Sequence, residues 1–168
     1  MNMMDVLETK YVPLVRLQVV RERFLPYGKE EVASPERVVR MVKRLLDGAD
    51  KECMLAIPVD AKSKPLGVEF VAIGAVNCVF SFAREIFKHA LISNASGVII
   101  VHNHPSGDVL PSEQDWKFTR GIQEAGDLLG VELYDHIIIG DDDKYFSMSE
   151  THRWEFREKY VSKEKEAC

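Results

Sequence analysis

One stretch constrains this chain more than any other: the apolar, β-branched run Val98-Ile99-Ile100-Val101 ends in His102-Asn103-His104 and is followed at once by Pro105-Ser106-Gly107. Such a run reads as a buried strand, and alternate residues of a strand share a face, so His102 and His104 point the same way. Pro105 cannot continue a ladder and Gly107 permits a tight turn, so the chain leaves the sheet just after the second histidine. It then reaches Pro111-Ser112-Glu113-Gln114-Asp115. Two imidazoles and a carboxylate are three protein ligands, the number a catalytic zinc uses when its fourth tetrahedral position is left to water. His102, His104 and Asp115 therefore outline a hydrolase site.

The same residues have a structural reading. Ser112-x-x-Asp115 ahead of a periodic apolar segment is a capping box, in which hydroxyl and carboxylate satisfy free N–H groups of the first helical turn. Both readings can hold, because a capping serine keeps its hydroxyl near whatever that turn faces. Competing zinc patterns are missing from the sequence: it has no H-E-x-x-H helix and no H-x-E with P-C-x-x-C.

The rest of the chain reads as elements that can carry this strand. The length of 168 residues suits one domain, with residues 1–33 as a strand or hairpin extension, 34–150 as the main domain and 151–168 as a charged helix or tail. Val15, Leu17 and Val19 alternate with polar neighbours and predict an edge strand. Ser34-Pro35-Glu36 starts a helix with Val38, Val42, Leu45 and Leu46 on one face, ending near Gly48. Glu52–Asp60 and Leu66–Gly74 flank a Lys62-Ser63-Lys64-Pro65 turn and predict an antiparallel hairpin. Helical spacing over Phe82, Ile86 and His89 or Ala90 predicts a second helix, with His89 as a packing or surface residue. Phe118, Ile122, Ala125 and Leu129 predict a third, with Asp115 in its first turn. Val131–Gly140 and Lys144–Met148 read as a last strand pair around an acidic turn. The sum is an α/β (α+β) domain, a mixed sheet with helices packed on it and the histidine strand central.

Charge and cysteine usage narrow the function classes. A net charge of −5 provides no field for nucleic acid or an anionic membrane, and Arg37, Arg40, Lys43 and Arg44 on the first helix are offset by Glu36 and Asp47. Weak or no direct nucleic-acid binding is expected. Cys53, Cys78 and Cys168 are odd in number and form no C-x-x-C pair, which argues against a disulfide framework. Met1 to Lys10 holds no apolar core of signal-peptide length and no run approaches a membrane span, so a cytoplasmic location is expected.

The motif also resembles a family. His102-x-His104-Pro105-Ser106-Gly107, then Pro111-Ser112-x-x-Asp115, is similar to the JAMM (MPN+) metalloprotease signature in the version carried by RadC-like proteins. The likeness extends to Ala83–Leu91 and to Asp135-His136-Ile137-Ile138-Ile139-Gly140, covering about Asp50 to Glu150. Ala83, Phe82 and Tyr134 depart from the family's usual proline, histidine and leucine, and none is a proposed ligand. The resemblance implies a cytidine-deaminase-like JAMM/MPN architecture, a bound Zn2+, and cleavage of a peptide or isopeptide bond in a protein or peptide substrate. It implies Glu52, at the start of the strand after the first helix, as proton carrier, a role the residues alone would not assign to it over Glu69 or Glu85. It implies Ser112 as oxyanion donor; Asp135 and His136, near the end of a strand, are either outer partners or merely structural. The other class it allows is a non-catalytic interaction module associated with DNA repair or mobile elements. Longer RadC-like proteins carry a helix-hairpin-helix region upstream for which this chain has no room, which lowers the expectation of DNA contact.

Overall fold

The structure is a computed structural model that describes residues 12–27, 32, 34–74, 79–142, 144–151 and 154. Pro35 opens α1 (Pro35–Leu46), where its missing N–H costs nothing and Glu36 complements the helix dipole. β1 (Cys53–Val59) and β2 (Glu69–Ile73) form the expected antiparallel hairpin, with Leu55 opposite Phe70 after a bulge. α2 (Val79–Ile92) leads into β3 (Gly97–Asn103), every residue of which is buried. α3 (Glu113–Leu129) ends at Gly130, whose φ of 67° is the left-handed conformation that glycine adopts without strain. β4 (Glu132–Ile139) and β5 (Tyr145–Ser147) close the sheet.

The strand order is β2-β1-β3-β4-β5, so the histidine strand is central as expected. β3 runs antiparallel to β1, with Met54 opposite His102, and parallel to β4, with Ile100 opposite His136. A parallel pair needs a crossover, and α3 is that crossover. Alternation along the strands makes two apolar layers. Leu55, Ile57, Val101 and Ile137 pack on one face against Val38, Val42 and Leu46 of α1. Met54, Ala56, Val98 and Ile100 pack on the other against Ile86 and Phe87 of α2 and Phe118 and Ile122 of α3.

One expectation fails. Residues 12–27 form no helix or strand, and Val15, Leu17 and Val20 are exposed, so the edge strand over Val15–Val20 is absent from the described residues. Its alternation is a strand pattern without a strand to pair with. The expected charged helix over 151–168 falls almost wholly outside the described residues. No helix of the described residues is long and apolar enough to cross a membrane.

Candidate metal centre

The centre lies where β3 ends. His102 and His104, on one face of the strand by alternation, bring their Nε2 atoms to 3.0 Å of each other. The turn beyond is tight: Gly107 N–H donates to the His104 carbonyl at 2.9 Å, and Gly107 has φ 77° with no room for a Cβ beside Asp141. Asp115 enters from the first turn of α3, its Oδ1 3.5 Å from His102 Nε2 and its Oδ2 3.8 Å from His104 Nε2. Among the described residues these three are the group of His, Cys, Asp and Glu side chains that could hold a metal ion.

Both readings of Ser112 and Asp115 coexist. Asp115 N–H donates to Ser112 Oγ at 3.1 Å, while Ser112 N–H and Oγ–H donate to Asp115 Oδ2 at 2.8 and 2.6 Å. The capping box consumes Oδ2 and leaves Oδ1 turned toward His102. The cap therefore aims the carboxylate as well as starting the helix.

The proton positions follow from the partners, taken from the inside outward. Thr119 Oγ1 donates its one proton to the Asp115 carbonyl at 2.7 Å, so the His136 Nδ1 that lies 2.6 Å from that oxygen must be the donor to it. His136 is fully buried, and burial holds it neutral, its pKa well below the ordinary histidine range, with His102 and His104 adding to the effect. Its Nε2 then carries a lone pair, which accepts from His102 Nδ1–H at 2.7 Å. Burial likewise pushes His102 down to about 4, with His104 depressing it further and Asp115 opposing. On the other side, His104 Nδ1 lies 2.6 Å from the Asp108 carbonyl, which can only accept, so this nitrogen carries the proton.

With both Nδ1 atoms engaged by outer partners, the two Nε2 atoms are the ones turned to the centre, 3.0 Å apart. The 3.0 Å between the two Nε2 atoms and the 3.5 Å from His102 Nε2 to Asp115 Oδ1 lie close to the roughly 3.3–3.6 Å that bonds of about 2.0–2.2 Å span along a tetrahedral edge, and the three ligand atoms all lie within 4.8 Å of one another. Two imidazoles with outer nitrogens anchored, plus a carboxylate, form the donor set that zinc takes. The residues present fit the ion.

The remaining candidates separate. His136 is tied directly to His102, whereas Asp135 faces the opposite side of the sheet and has no bond to the centre. Asp135 instead accepts from His136 N–H at 2.7 Å, Ser147 Oγ at 2.7 Å and Ser149 N–H at 3.0 Å, closing β5. Burial raises its pKa and those bonds oppose the rise. Glu52 is exposed, one residue ahead of β1. Counting back from Met54, which pairs with His102, it occupies the position opposite His104 on the α2/α3 face. Glu69 and Glu85 lie away from the centre, Glu85 paired with Lys88 at 2.5 Å and Glu69 3.6 Å from His89. Two contributors escaped the sequence reading, Thr119 and Asn103. Thr119 stands four residues after Asp115 on the same helix face, which is a usable signal once Asp115 is taken as a ligand.

A five-stranded mixed sheet between α1 and the α2/α3 pair, with His-x-His at the end of the central strand and an Asp from the crossover helix, defines a JAB-type domain. The family model described as a RadC-like JAB domain matches residues 32–154, and the chain belongs to that family. It is 39% identical over 129 residues to a UPF0758 protein of Methanosarcina mazei, covering 77% of this chain and 56% of the relative. It is 40% identical over 110 residues to one from Caldanaerobacter subterraneus, covering 66% and 47%. A Desulfitobacterium hafniense relative is 34% identical over 125 residues, covering 74% and 55%. The chain spans about half the length of the curated relatives it matches.

Proposed function

We propose that this protein is a zinc-dependent hydrolase of the JAMM type that cleaves a peptide or isopeptide bond. The observation that carries the reading is the convergence of His102 Nε2, His104 Nε2 and the Asp115 carboxylate on one point, with the Nδ1 atom of each histidine engaged elsewhere. His102, His104 and Asp115 hold the ion. When bound, zinc lowers the pKa of its water toward ~7 and polarises the scissile carbonyl. Thr119 and His136 keep His102 in the tautomer that presents its lone pair, and the Asp108 carbonyl does the same for His104. Glu52 takes the proton of the attacking water and delivers it to the leaving amine. Ser112 turns its hydroxyl from Asp115 to the developing oxyanion while its lone pair goes on capping α3. The substrate is a protein or peptide, the net charge of −5 gives nucleic acid no electrostatic purchase, and the setting is cytoplasmic.

Elemental analysis of the purified chain tests the first half of this reading. One zinc per chain is expected, and stoichiometric zinc in a His102→Ala, His104→Ala double variant would sink it. Turnover tests the second half. On a quenched-fluorophore peptide or isopeptide library, Glu52→Gln should retain zinc and lose activity; zinc loss would make Glu52 a ligand, and full activity would remove it from the reaction.

A further inference from the structure

Glu52 is exposed at a strand end, where main chain ordinarily frays, yet its peptide neighbours are pinned on both sides. Its own carbonyl accepts from Gly74 N–H at 2.7 Å, on the β2 side. The flanking groups point the other way, toward β3, as strand alternation requires. There they meet a single side chain: Cys53 N–H donates to Asn103 Oδ1 at 2.8 Å, and Asn103 Nδ2 donates to the Lys51 carbonyl at 3.1 Å.

The ladder between β1 and β3 stops at the Met54–His102 pair, and Pro105, the register partner of Lys51, has no N–H to give its carbonyl. A side-chain amide has the same donor and acceptor as a peptide group. Asn103 is 6% exposed, and both ends of its amide are used on the two residues that bracket Glu52.

We infer that Asn103 is a positioning residue for Glu52: its amide replaces the missing strand neighbour at the start of β1 and fixes Glu52 at the register position opposite His104. This rests on the hydrolase reading above, in which Glu52 carries the proton. The residue between the two ligand histidines thereby links the strand that holds the ion to the strand that supplies the carboxylate. An apolar residue at 103 would suit the buried face as well and would leave Lys51 and Cys53 unpaired.

The test uses the full chain loaded with cobalt(II) in place of zinc, its visible absorption followed against pH. Four proteins are compared: wild type, Glu52→Gln, Asn103→Ala and the double variant. Cobalt should stay at one per chain in all four. Glu52→Gln should shift the spectral transition, Asn103→Ala should shift it in the same direction by a comparable amount, and the double variant should shift no further. A wild-type transition in Asn103→Ala beside a shifted Glu52→Gln overturns the positioning role and leaves the hydrolase reading standing. An unshifted Glu52→Gln removes Glu52 from the centre and takes both down. A double variant that exceeds either single means Asn103 acts on the histidines, which also overturns the inference. Asn103→Asp keeps the acceptor for Cys53 and loses the donor to Lys51, so it gives the same readout if the alanine variant does not fold. In unaltered protein the Cys53 amide should exchange slowly with solvent, and fast exchange would dispose of the clamp without any variant.

Discussion

The two faces of the sheet are drawn from the same strands, and adjacent residues of β3 divide between them: Val101 goes to one, His102 to the other. On the α1 face the layer of Leu55, Ile57, Val101 and Ile137 meets Val38 and Val42 without a polar interruption. Asp135, the buried carboxylate of this face among the described residues, is spent on hydroxyl and main-chain donors that close β5. The α2/α3 face begins the same way with Met54, Ala56 and Ile100 and then changes, at one end, to Thr119, His136 and His102 in series. Buried polar groups occur on both faces. What differs is direction: the bonds of Asp135 all converge on it and end there, whereas each member of the histidine series fixes the proton of the next until His102 Nε2 is left facing His104 and Asp115. A buried polar network that closes on itself serves the fold, and one whose last donor atom meets two other candidate ligands is a candidate site.

The contrast can be broken first from the apolar side. Leu55→Ala removes a fully buried side chain from the α1 layer and should cost about 2–5 kcal/mol in denaturant unfolding. Zinc affinity of the folded fraction should be unchanged, and a parallel loss would mean the two faces are not independent. Thr119→Val keeps the shape at the head of the histidine series but leaves His136 Nδ1–H without an acceptor. Zinc affinity should fall about 10–100-fold, read by competition with a chelator. Unaltered affinity would show that the tautomer of His102 is set by other means.

A third substitution asks whether any buried histidine would do. His89 lies on the same side of the sheet, 8% exposed, with its Nε2 unpartnered and its ring against Gly67. Burial lowers its pKa and Glu69 only partly opposes this. His89→Leu should change stability by less than about 1.5 kcal/mol and leave zinc binding alone, since its ionic neighbour, Glu69, lies away from the centre. The smallest effect is expected at the outer edge of the α1 face, where Tyr145 of β5 donates a short hydrogen bond to Glu36 of α1. With Ser34 contributing, this bond holds the Glu36 carboxyl down at about 2 from 4.5. The folded state therefore favours the ionised form. The contribution is fully present above pH 4.5 and is lost as the pH falls toward 2. Tyr145→Phe should flatten the stability profile in that window, and again between pH 10 and about 12, where the same bond raises the Tyr145 hydroxyl.

Much of this arrangement was legible in the sequence because it is local. His102 and His104 share a face by strand period alone, and Asp115 falls in the first turn of α3 by its capping pattern. α1, the β1–β2 hairpin and the closing strands likewise follow from punctuation by proline, glycine and apolar periodicity. The parts that were not legible depend on pairing. Asp135 and His136 are adjacent and equally polar, and only the bulge between Leu133 and Asp135 in β4 decides which of them faces His102. Thr119 is signalled only by its i, i+4 spacing from Asp115, and Asn103 becomes informative only when the strand beside it is known. The failed strand over Val15–Val20 makes the same point in reverse, since alternation states what a strand would bury and says nothing about whether an edge is there to receive it.

The crossover that joins β3 to β4 also sets an order of events. His102, His104 and Asp115 are joined by one short connection, whereas Asn103 reaches Cys53 across 50 residues. Loop closure favours the shorter circuit by about 1 kcal/mol, and the β3–α3–β4 unit carries its own apolar layer. On the reading proposed above, a chain refolding in the presence of zinc would take up the ion with His102, His104 and Asp115 before the β1–β2 hairpin docks. Loading and competence would then be successive states, the second reached only when the start of β1 brings Glu52.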